Sequence, residues 1–163
     1  MLSTDALSAY LNDHHAGSTG AIDLIDKARK QNDGTDFGRM MDELYDEIEA
    51  DQQVLQDLMD KLDIQESSVK MAGAWVAEKV SRLKFDEKMT GSADLTRLLE
   101  AEALSLGIEG KVSLWRLMRK ITDADSRLAG MDWDELIARG ESQRERLEPF
   151  RLQAGAAAFT GAD

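Results

Sequence analysis

The chain has 163 residues, 42% of them hydrophobic, with no cysteine and a formal net charge of −12. That is apolar material for one core of ordinary size and a single domain, and the lack of cysteine excludes disulfides, thiolate metal sites, iron–sulfur clusters and cysteine nucleophiles. The excess negative charge repels phosphate backbones and anionic membranes, so nucleic acid is not an expected partner. No apolar run is long enough to predict a membrane span. The start Met1-Leu2-Ser3-Thr4-Asp5 lacks the basic and apolar regions of a signal peptide, so the expectation is a soluble, cytoplasmic protein.

Apolar residues recur at three- and four-residue steps, strand-like alternation is missing and there is only one proline, so the predicted fold class is all-α. A first helix is expected from Thr4 to Gln31, with Leu7, Leu11, His14, Ser18, Ile22 and Ile25 on one face and Asp33-Gly34 as its stop. His15 lies about 100° around the helix from His14, so the same face admits either imidazole as the inward one. A second helix follows from Asp36 to about Asp63. Its inner stripe reads Phe37, Met41, Leu44, Ile48, Asp51 or Gln52, Leu55, Met59 and Leu62. The short turn between these helices predicts an antiparallel hairpin.

After Ser67-Ser68, a shorter crossover helix is predicted over about 68–86, with Val69, Val76, Val80 and Leu83 on one side. It is locally basic through Lys70, Lys79, Arg82 and Lys84, either as a solvated face or as a docking surface for an acidic protein partner or a second copy of the chain. Met89-Thr90-Gly91-Ser92 breaks the pattern, and a third long helix is predicted from Ala93 to Ile121 with the stripe Leu95, Leu99, Glu102, Leu106, Glu109, Ser113. Two glutamates on a core-facing stripe are costly unless a cation, a metal or a hydrogen-bond network compensates them. Asp132-Trp133-Asp134-Glu135 resembles a capping box opening a fourth helix, which Pro149 should kink or end. The segment Ala154 to Ala158 is helix-compatible, and the last residues should fray.

A crossover of about 17 helical residues spans about 25 Å and returns the chain to its starting end, which makes the third helix parallel to the second. Counting heights from the turns then sets His14 level with about residue 53, Gln52 with about residue 109, and Glu109 with about residue 144. The predicted buried polar layer is His14, Asp51 or Gln52, Glu109 and Arg144, with Glu49, Glu102 and Glu141 within about two turns. Gly17, Gly20, Gly107, Gly110 and Gly140 crowd the same level. Each costs about 1 kcal/mol against alanine inside a helix, so either close helix approach or a small cavity is expected there.

Two antiparallel hairpins joined by a crossover, with carboxylates projecting inward, resemble the ferritin-like superfamily of helical bundles over roughly residues 4 to 150. In members with a di-metal centre, a Glu stands on the first and third helices and Glu-x-x-His on the second and fourth. The counterparts here are Glu49-Ala50-Asp51-Gln52 and Glu141-Ser142-Gln143-Arg144, with Gln52 and Arg144 at the histidine positions and His14 on the first helix. Glu102 or Glu109 is the third-helix counterpart. A guanidinium is always charged and cannot ligate a metal, so Arg144 takes the place of a cation. The resemblance therefore implies a ferritin-like bundle without the di-metal centre.

Three readings of the polar layer follow. Asp51, Glu109 and Arg144 form a buried salt-bridge network that fixes register, or His14 and Glu109 with a carboxylate from the second or fourth helix hold a single Fe, Mn or Zn ion, the wider metal reading drawing on His14, Glu49, Glu102, Glu109 and Glu141, or the carboxylates act as general acid and base. The first sets the preferred expectation: no cofactor, no catalysis, and a role as an interaction or small binding module. A metal-binding protein or metal-dependent enzyme is the alternative. A homodimer burying the flatter helix faces is a further expectation.

Overall fold

A computed structural model describes residues 4–67 and 87–161. The crossover helix expected over about 68–86, and with it Lys70, Lys79, Arg82 and Lys84, lies outside the described residues. Within them the chain is helical, without strands. Four long helices carry the fold: α1 (Thr4–Gln31), α2 (Asp36–Lys61), α3 (Ala93–Ile121) and α4 (Trp133–Thr160). A single helical turn, Glu87–Thr90, precedes α3, and two short 3₁₀ turns, Thr122–Ala124 and Ser126–Leu128, link α3 to α4.

The helix ends are set by local chemistry. The Thr35 hydroxyl accepts from Gly38 N–H at 3.0 Å and Ser92 from Leu95 N–H at 3.3 Å, each satisfying a donor that the first turn leaves unpaired. Asp132 does the same for Glu135 N–H at 3.0 Å. Between α1 and α2 the chain reverses so tightly that a Cβ at Gly38 would lie 2.1 Å from the Asn32 carbonyl oxygen, so only glycine fits. The expectation for Pro149 is corrected: α4 runs through it to Thr160 and ends at Gly161, whose φ is 63°. Pro149 is on the exposed side, and so is Glu145, whose carbonyl the proline deprives of a donor; water can take its place.

Cross-helix contacts give the directions. Gln52 Nε2 donates to Ser18 Oγ at 2.8 Å and Arg29 to Asp42 at 3.5 Å, so α1 and α2 are antiparallel. Arg151 with Glu102, Arg144 with Glu109 and Arg119 with Asp134 pair α3 and α4 in opposite senses. Phe37 lies edge-on to Phe150, Arg146 pairs with Glu43 and Glu47, and Arg139 reaches Asp51, which runs α2 against α4. Arg97 Nε donates to Asn32 Oδ1 at 2.6 Å near one end of the helices, while Lys111 meets Asp51 midway. At the other end Arg127 Nη1 donates to the Leu62 carbonyl at 3.2 Å. Thus α3 climbs in the same sense as α2.

One core joins all four helices, from Leu11, Ile25, Met41, Leu44, Leu55 and Leu58 to Leu104, Val112, Trp115 and Leu147. The expected inner stripe of α3 is corrected. Leu106 is 75% exposed and Glu102 and Glu109 are half-buried, while Leu98, Ala101, Leu104, Ile108, Val112 and Trp115 face inward. Leucines occur all around α3, so two stripes are available to the sequence. The one holding Ile108, Val112 and Trp115 buries more apolar area and prevails.

The crowded glycines divide into two kinds. A Cβ at Gly140 would stand 2.5 Å from Val112 Cγ2, so α4 presses onto α3 there. At Gly17, Gly107 and Gly110 a Cβ would meet nothing within 4 Å. Gly17→Ala is therefore expected to stabilise the protein by about 0.5–1 kcal/mol through helix propensity. Gly140→Ala should destabilise it by about 1–3 kcal/mol through overpacking against a stiff β-branched side chain. Urea melts of the two variants check the contrast, and equal effects would contradict it.

Candidate functional site

Where Gly17 and Gly107 face open space, a cavity of about 310 Å³ lies between α1, α2 and α3. Its walls are apolar, made by Ile48, Leu55, Leu104, Ile108, Leu114 and Trp115. Its mouth is marked by exposed lining residues, Asp13 and Gly17 on α1 and Gly107 on α3. Tyr10 and His14 stack edge to face, 4.6 Å apart, on the α1 side. Burial pulls the His14 imidazole below its ordinary range, against a smaller opposing effect of Asp13, so it is neutral at pH 7.

Asp51 and Lys111 form the inner charged part of the lining, Asp13 being exposed. Asp51 is 2% exposed and accepts from Lys111 Nζ, from Arg139 Nη2 and, at 3.1 Å, from Gln143 Nε2. Lys111 Nζ also donates to Gln143 Oε1 at 2.5 Å. One buried carboxylate thus serves three helices, α2 holding the acceptor and α3 and α4 the donors. Burial pushes the Lys111 ammonium below its usual range, while Asp51 pushes it back up. The arrangement carries one negative and two positive charges and fixes the relative heights of α2, α3 and α4.

The structure distributes the other expected site residues differently. Gln52 is half-buried in the cavity wall and bonds Ser18 and Thr19. The choice between Asp51 and Gln52 falls to Asp51 as the buried one. His15 points to Gln56, at 3.1 Å, leaving His14 on the cavity. Glu109 and Arg144 pair with each other, but on a seam where both side chains are about 40% exposed. They do not join Asp51, because the inward stripe of α3 is the neighbouring one.

The carboxylates considered for a metal do not converge. Glu49 is exposed and holds the Tyr45 phenol, whose ionisation it disfavours. Glu102 pairs with Arg151 at 3.2 Å, Glu141 with Arg116 at 2.6 Å, and Glu109 with both Arg144 and Arg116. Each of these three is already neutralised by a guanidinium. Among the described residues no three His, Asp or Glu side chains gather around a point that would suit a metal ion, so the residues do not fit an Fe, Mn or Zn site.

Sequence reasoning missed Lys111, Arg139 and Gln143, and the signal was present for the first. A lysine between Ile108 and Val112, on the most apolar face of α3, violates that stripe as plainly as the glutamates appeared to violate theirs. It also missed Glu100, fully buried, with both carboxylate oxygens unpartnered. Burial pushes Glu100 up to about 7, against the weaker pull of Lys27 and Arg97. No protein-family model, curated protein or solved structure matches the chain.

Proposed function

We propose that this chain is a ferritin-like helical bundle without a di-metal centre that works as a non-catalytic binding module, holding a small amphipathic molecule between α1, α2 and α3. The observation that carries the reading is the cavity of about 310 Å³ with apolar walls and a charged group buried among them. Such a volume falls at the lower end of small-molecule sites, which are mostly apolar with a few placed polar groups. Gly17 and Gly107 support it, since the small residues there leave space rather than bring helices together. The ferritin-like arrangement is supported by α3 running in the sense of α2 and by hairpins pairing α1 with α2 and α3 with α4.

The test is to close the space. A neutral apolar fluorophore, N-phenyl-1-naphthylamine, is expected to bind the wild-type protein saturably. The double variant Gly17→Leu, Gly107→Leu should weaken that binding at least tenfold while its thermal midpoint stays within a few degrees of wild type. Unchanged fluorophore binding in a folded double variant would overturn the reading.

A further inference from the structure

The buried polar atoms around the cavity are unequal in kind. Lys111 carries three N–H donors, and two of them are taken by Asp51 and Gln143. Its third has no acceptor among the described residues. Trp115 is 1% exposed, lines the same cavity, and its indole N–H has no hydrogen-bond partner. Arg139 Nε–H, on the other side of Asp51's ion pairs and outside the cavity lining, is also buried and unpartnered. A buried donor without an acceptor costs about 1–3 kcal/mol, more when it is charged, and native proteins seldom leave several together. Both oxygens of Asp51 are already engaged. What Lys111 lacks is an acceptor for its third N–H.

We infer that the cavity takes a monocarboxylate with an apolar body, its carboxylate accepting from Lys111 Nζ and its body lying along Ile48, Leu55, Leu104 and Ile108. This rests on the binding reading above and adds the ligand class. A carboxylate brings the acceptor oxygen that the third N–H of Lys111 lacks, and its charge balances the surplus left when one Asp51 faces Lys111 and Arg139. The cavity has room for about ten waters. A methylene occupies about the space of one water, so a chain near ten carbons fills it. Asp13 at the mouth and the net charge of −12 oppose the approach of an anion. That repulsion is screened beyond about 10 Å at 0.1 M salt, whereas the buried ammonium is not.

Isothermal titration with decanoate, 1-decanol and decyltrimethylammonium, each below its micelle concentration, tests the assignment. Wild-type protein should bind decanoate at least tenfold more tightly than decanol, and the ammonium compound least. Lys111→Met should lose at least tenfold for decanoate and less than threefold for decanol, and decanoate should shift the Trp115 emission. Decanol binding as tightly as decanoate, or equal losses in the variant, would overturn the carboxylate assignment. The wild-type ratio stands without the variant if Lys111→Met does not fold. If N-phenyl-1-naphthylamine binds but none of the ten-carbon ligands does, the ligand class is wrong and the cavity reading survives. If the fluorophore also fails to bind, both fall.

Discussion

At pH 8 the variant Glu100→Gln is expected to be more stable than the wild-type protein, by up to about 3 kcal/mol, and the advantage should shrink to almost nothing near pH 4.5. Glu100 is fully buried with neither oxygen hydrogen-bonded, and its carboxyl is pushed from 4.5 up to about 7. Between those values the folded chain keeps a proton that the unfolded chain has released. Wild-type stability therefore falls as pH rises through this window and is flat above it. A displacement of that size corresponds to about 1.4 kcal/mol per unit, which sets the upper figure. Glutamine has the shape of the protonated acid and does not titrate, so the difference between the proteins isolates this one group. Calorimetric melts from pH 4.5 to 8 measure it. For a chain of this length the gain amounts to about 6–10 °C, and a pH-independent difference would refute the assignment.

Removing the carboxylate of Asp51 should have the opposite effect. Asp51→Leu leaves the largely buried Lys111 and the part-exposed Arg139 without their counter-charge and strips Gln143 of its acceptor. Breaking one partner of a buried pair costs about 3–5 kcal/mol. Adding Lys111→Met should recover most of the loss, because Arg139 is 30% exposed and can turn to water while the lysine cannot. Arg144→Leu provides the contrast. Its pair with Glu109 joins the same two helices as the Lys111 to Gln143 bond but lies on the surface, so the loss should stay within about 1 kcal/mol. Urea titration of the three variants orders them, and a large loss at Arg144 would show that burial does not govern these ion pairs.

What was legible in the sequence follows from how locally it is encoded. Helix ends are written in a few residues: Asp33-Gly34 stops α1, Ser92 starts α3 and Asp132 starts α4, and each acts within its own turn. The inner stripe of α2 was readable because charged residues fill its other faces. α3 is different. It has apolar residues on every side, so its inward face depends on which stripe α1, α2 and α4 can pack, a property of four helices at once. That single ambiguity moved Glu102 and Glu109 outward, brought Lys111 and Glu100 inward, and left Arg144 away from the core. The cavity was less legible still, since a glycine that admits a neighbour and a glycine that leaves a void look the same in a sequence. Gly140 and Gly107 are one of each.

The hairpins α1/α2 and α3/α4 are each packed far more extensively within themselves than against one another. The cavity lies on the boundary between them, with the exposed Gly17 and Gly107 both in its lining. The molecule thus has a cleavage plane, as a crystal does, and the apolar cavity sits in that plane. A small parting of the hairpins would widen the mouth without breaking either of them, so under the proposed binding role admission of a guest and the first step of disassembly would share the same motion. An occupant that bridges α1, α2 and α3 would act as mortar across the plane, closing by its presence the gap through which it came.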